Sequence, residues 1–147
     1  MTSEAPPLID TNILVYLFDE DAAKKRTISH ELVAGCFQSQ EKYSLSVQNL
    51  AEFSVVVTEK VADPMPSEDI RRFIHTLTSF QGWNLVHYTG MTIIHAHEIK
   101  EQHKLHFWDA LLVATMVENH IHTIYTEDAH FRKIPGITVI NPFNPQQ

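Results

Sequence analysis

Four carboxylates stand where ordinary surface acids are seldom placed. Asp10 closes the apolar run "PLI" and precedes "TNILVY". Asp favours such a strand-to-helix position as an N-cap, and a carboxylate has lone pairs enough to ligate a metal as well. Glu52 lies in "LAEFSVVV", with Val55 and Val56 on its helical stripe and Gln48, four residues earlier, read as the polar exception. A first-turn Glu favouring the helix dipole is the other reading. Asp109 has Leu105, Leu112, Val113 and Met116 at helical spacing, so it points at an apolar stripe. Removing an ionised carboxylate from water costs several kcal/mol unless charge meets it. Asp128 follows the apolar segment "IHTIYT" in "IYTEDAHF", with Glu127 competing for its role and Thr126 able to orient either acid.

Gathered at one place, four such groups repel and raise one another's pKa unless a cation separates them. All-oxygen ligation suits Mg2+ or Mn2+ rather than zinc. The chemistry of acid-held Mg2+ is phosphoryl transfer, with water activated and phosphate charge neutralised.

The elements must bring these acids together. "PLID", "YSLS" from Tyr43, "WNLVHY" from Trp83, "IHTIYT" from Ile121 and "GITVI" from Gly136 read as strands. Helical spacing predicts segments from Asn12, over 21–38 through Ile28, Leu32, Val33 and Phe37, and from Val47. Further helices are expected from Ser67, over 89–103, and over 107–120, with a break at Lys104 to His106. Strands separated by helices imply a mainly parallel sheet of four to five strands, covered on both faces in a three-layer α/β/α arrangement. Ligands then bind beyond the carboxyl ends of the strands, where Asp10 and Asp128 fall.

Bulk properties set bounds. The 147 residues, 44% hydrophobic and 20% charged, suit one domain over 1–147, with a flexible N-terminus over 1–6 and a C-terminal tail over 143–147. A net charge of −7 argues against a broad basic nucleic-acid surface, though not against phosphates met by metal and a few local cations. The lone Cys36 cannot form an internal disulfide, and "MTSEAPPLID" lacks a signal peptide's basic and apolar regions. A cytoplasmic protein without a membrane span is expected. The ten histidines do not fall at zinc-finger spacing. Tyr16, Phe53, Phe107 and Trp108 have apolar neighbours and are expected in the core.

The chain resembles PIN-domain nucleases, and among them the VapC-type toxins of toxin–antitoxin pairs. "LIDTNILVY", "LAEF", "FWDALLVATMVENH" and "IYTEDAHF" look like the family's four motifs in order, over about residues 8–142. The resemblance implies a Rossmann-like sheet and a Mg2+- or Mn2+-dependent endoribonuclease, usually dimeric and inhibited by a cognate antitoxin. It makes Asp10, Glu52, Asp109 and Asp128 the catalytic metal ligands for RNA hydrolysis, with Thr11, Asn12 and Thr126 in support. The spacing Thr-x-Asp-x-x-Phe selects Asp128 over Glu127. Two rivals are a Mg2+-dependent phosphotransfer domain and a fold that binds RNA or protein without chemistry. The first would want an acidic pair after strand one, where this chain has Asp10, Thr11 and Asn12. The second could have dispensed with any of the four acids.

Overall fold

The computed structural model describes residues 3–145; the outermost ends of both expected tails, residues 1–2 and 146–147, lie outside the described residues. Five strands form one parallel sheet: β1 (Leu8–Ile9), β2 (Tyr43–Ser46), β3 (Trp83–Val86), β4 (Thr123–Tyr125) and β5 (Thr138–Ile140). Their spatial order is β3-β2-β1-β4-β5. The chain therefore winds outward from β1 in one direction, then crosses over β1 to begin the other half at β4. The crevice at that reversal, beyond the ends of β1 and β4, is where such sheets place ligands.

Helices α1 (Thr11–Tyr16), α2 (Ala23–Phe37), α3 (Val47–Glu59), α4 (Ser67–Ser79), α5 (Gly90–His103) and α6 (Phe107–Glu118) cover the sheet. Alternation along β1 assigns its two residues to opposite faces. Leu8 joins a core with Ile124, Phe131 and α6, while Ile9 joins one with Leu45, Phe53 and α1 to α4. Every residue from Ala110 to Met116 is buried, so α6 is enclosed nearly all round. A helix that apolar throughout belongs between other layers.

The paired strands are shorter than the apolar runs that announce them. "WNLVHY" stops pairing at Val86, and His87 and Tyr88 lead exposed into α5. "IHTIYT" pairs over Thr123–Tyr125, while Ile121 is buried ahead of the strand. Side chains can be buried on either side of a ladder, so hydrophobicity overruns the hydrogen bonding. The expected break between α5 and α6 is made by Lys104, which adopts left-handed backbone at φ 55° and sends Leu105 into the core. Near the N-terminus, Ala5 N–H donates to the His120 carbonyl and the Pro6 carbonyl accepts from Ser44 Oγ, so pairing begins before β1.

Ser46 ends β2 and caps α3, its Oγ accepting from Asn49 N–H at 3.0 Å and donating to Asn49 Oδ1 at 2.7 Å. Both residues are fully enclosed. Ser46→Ala removes the cap and strands a buried amide oxygen, so it is expected to lower stability by about 1–2 kcal/mol, read by urea denaturation.

Candidate metal centre

The pairing register of β1 and β4 builds the floor of the site. Leu8 lies opposite Ile124 and Ile9 opposite Tyr125, which brings the next residues, Asp10 and Thr126, side by side. Thr126 Oγ1 donates to Asp10 Oδ2 at 2.7 Å and accepts from Asp128 N–H at 3.0 Å and Asn12 Nδ2 at 3.0 Å. One buried hydroxyl thus holds two of the predicted acids and a predicted support in fixed relation. Asp10 Oδ1 also accepts from Thr11 N–H at 2.8 Å, so it caps α1 while lining the cleft. The cap and a place in the cleft coexist.

Asp10, Glu52, Asp109 and Asp128 all line one cleft of about 430 Å³, joined there by Thr11 and Asn12. Thr11 Oγ1 donates to Glu52 Oε2 at 3.1 Å, and Gln48 Nε2 donates to Glu52 Oε1 at 2.7 Å. The cleft has no Lys or Arg among its lining residues. Burial, with Glu52 and Asp128 adding repulsion, pushes Asp10 up to about 6 despite its hydrogen bonds. Asp109 is raised as well, first by burial and then by Asp128, with Glu52 contributing further.

Two surroundings differ from those expected. Asp109 is only partly enclosed, with 27% of its side chain exposed, because it stands in the first turn of α6 and faces the cleft rather than the apolar stripe. Val55, beside Glu52, is 41% exposed. It lines a groove of about 750 Å³ with Tyr88 and Trp108, which opens onto Thr11, Glu52 and Asp109. Trp108, expected in the core with Phe53, is 59% exposed, whereas Phe53 is fully buried. It sits at the start of α6, outside the enclosed stretch, where sequence neighbours do not report which face they share.

Glu127 is separated from Asp128 by its partners. Tyr16 Oη donates to it at 2.6 Å and Lys25 Nζ at 2.9 Å, which turns it toward α1 and α2. Three residues were missed in the sequence. Asn49 lies three residues before Glu52 on the same helical face, so Gln48 is not the only polar residue there. Its Nδ2 donates to Asp10 Oδ1 at 3.2 Å and to Thr11 Oγ1 at 3.0 Å. Asp19 also lines the cleft. His130 places Nδ1 3.1 Å from Asp128 and 3.9 Å from Asp109. Its signal was the two-residue spacing from Asp128, which suits a tight turn.

The donor set fits a hard dication. Its four carboxylates line one cleft without a Lys or Arg, and two of them are held above the usual range by burial and by repulsion from neighbouring acids, with His130 and His106 only partly offsetting the charge of Asp109. Buried acceptors without a protein donor, Asn12 Oδ1 and Gln48 Oε1, belong to residues around the same acids.

The family model for the PIN domain matches residues 8–137. Among curated proteins none matches. Solved structures of similar fold include a toxin–antitoxin complex from Klebsiella pneumoniae, at 20% identity and a TM-score of 0.61, covering 92% of this chain and 97% of that one. VapBC2 from Rickettsia felis, bound to a DNA fragment from its promoter, matches at 17% identity and a TM-score of 0.63, covering 93% and 98%. The Mycobacterium tuberculosis toxin VapC20, described as cleaving the sarcin-ricin loop, matches at 18% identity and a TM-score of 0.65, covering 85% and 92%.

Proposed function

The chain belongs to the PIN domain family, and from that we propose that it is a Mg2+- or Mn2+-dependent endoribonuclease, the toxin of a toxin–antitoxin pair. The observation that carries this is the convergence of Asp10, Glu52, Asp109 and Asp128 on one cleft at the sheet's reversal point. Acids that repel one another in a cleft without a lining Lys or Arg are the arrangement that a bound dication relieves.

Asp10, Glu52, Asp109 and Asp128 are the metal ligands. A bound ion there supplies an activated water and neutralises charge on the scissile phosphate. The chain's own residues fix the geometry. Thr126 and Asn49 hold Asp10 from opposite oxygens, and Thr11 and Gln48 hold the two oxygens of Glu52. Such outer partners orient ligands and set their basicity. With a net charge of −7 and no Lys or Arg lining the cleft, attraction of the phosphate falls to the bound cation in this reading.

RNA is the substrate in this reading, and a cognate antitoxin protein is the natural inhibitor. The partner is suggested by neighbours solved as toxin–antitoxin complexes. A homodimer in the cytoplasm completes the proposal. No described helix is long and apolar enough to cross a membrane.

Purified protein incubated with structured RNAs is expected to cleave them when Mg2+ or Mn2+ is present. Chelation should abolish the products and re-addition of the ion should restore them. Cleavage that persists in chelator would refute the metal-dependent reading.

A further inference from the structure

The acids of the cleft are not the only ligand-bearing groups at its Asp109–Asp128 end. Among the described residues, Asp109, Asp128 and His130 form a group whose ligand atoms all lie within 4.8 Å of one another. The turn after β4 brings these residues together. Asp128 Oδ1 accepts from His130 N–H at 2.8 Å, an Asx turn that folds residue 130 back over its own carboxylate. The imidazole then presents Nδ1 to Asp128 at 3.1 Å and to Asp109 at 3.9 Å. An octahedral ion with bonds near 2.1 Å sets neighbouring ligands about 3.0 Å apart and opposite ones about 4.2 Å apart. The 3.1 Å separation is close to the neighbouring value, and the 3.9 Å separation lies nearer the opposite one.

We propose that His130 is a direct nitrogen ligand of a divalent cation shared with Asp109 and Asp128, so that this end of the centre selects a transition-metal dication such as Mn2+ over Mg2+. The inference rests on the metal centre proposed above and adds to it a ligand and a preference. Mg2+ is hard, dehydrates reluctantly and takes oxygen donors, whereas first-row transition dications accept imidazole readily. The remaining acids, Asp10 and Glu52, offer oxygen alone, so the selecting element is the one nitrogen. With 60% of its side chain exposed, His130 packs little of the core, and its substitution leaves the fold in place.

Pulsed electron paramagnetic resonance on the full chain with stoichiometric Mn2+ tests this directly, because a ligating imidazole couples its nitrogen to the ion. The wild type is expected to show that coupling, His130→Ala to lose it, and His106→Ala, altered at another histidine near Asp109, to keep it. Calorimetry should show a tenfold or greater loss of Mn2+ affinity in His130→Ala with Mg2+ affinity little changed. Mn2+ bound without nitrogen coupling in the wild type overturns the ligand assignment and leaves the four-acid centre standing. Coupling that survives in His130→Ala also overturns it, by assigning the nitrogen to another residue. Failure of the wild type to bind Mn2+ overturns this inference, and failure to bind Mg2+ as well overturns the metal centre beneath it.

Discussion

Asp109→Asn is expected to lower metal-dependent RNA cleavage by about a thousandfold and, in the same protein, to raise the melting temperature of the metal-free form. The two effects share one cause. Burial and the facing carboxylates of Asp128 and Glu52 oppose the charge on Asp109, which is why its pKa is raised. Asn keeps the shape and removes the charge, so the metal-free fold is relieved of a repulsion while the cation loses a ligand. An interaction of several kcal/mol with the reacting phosphate passes through that cation, and each 1.36 kcal/mol is a factor of ten in rate. Relief of part of the repulsion corresponds to about 2–4 °C per kcal/mol in a chain of this size. Gel-based cleavage assays and calorimetry of the same preparation measure both. A variant that cleaves normally sinks the ligand assignment. One that is inactive but less stable than wild type points instead to a structural role for the carboxylate. A protein that only binds its partner would keep its affinity through this change.

The candidate acids were legible in the sequence from strand ends and helical spacing, although Asp109 faces the cleft rather than the apolar stripe that singled it out. Strand ends, helix spacing and the positions of four ill-placed acids are local properties, and the parallel topology follows from their alternation. Three things were not local. The register that sets Thr126 against Asp10 depends on which strands pair, which no single segment states. Asn49 is fully buried and bonded to Asp10, yet in the sequence it is one more polar residue near the start of a helix. His130 reaches the acids through a tight turn, and its side-chain direction is set by that turn's backbone. The misplacement of Trp108 has a related origin. Apolar neighbours at positions 110–114 report burial of the helix behind it, while the first turn projects past the layer that covers the rest. Glu127 and Asp128 are chemically alike and adjacent. What separates them is Lys25 and Tyr16, about a hundred residues away, which hold one and leave the other to the cleft.

In chelator, the stability of the wild type relative to Asp10→Asn is expected to fall by about 2 kcal/mol as pH rises from 4 to 7. Asp10 is raised from 3.8 to about 6 in the folded protein, chiefly by burial. A group whose folded pKa is the higher one binds protons more tightly in the folded state. Between those two values the folded chain holds the additional proton, so raising the pH removes stability, and the loss is complete about one unit above the folded value. The size follows from 1.36 kcal/mol for each pKa unit. Taking the difference against Asp10→Asn cancels the titrating groups that do not face Asp10, and leaves the smaller coupled change of Glu52 and Asp128 within it. The cost of placing an amide among the donors Thr11, Thr126 and Asn49 enters that difference as a constant and leaves its slope with pH unchanged. Urea denaturation of both proteins across this range gives the curve directly. A flat difference, or one in which the wild type gains with pH, removes Asp10 as a carboxylate strained by its site. Saturating Mn2+ should abolish the decline in the wild type, because a dication stabilises the ionised form and expels the proton. If the decline persists under saturating ion, the cation does not meet Asp10, and the centre must be redrawn around the remaining acids.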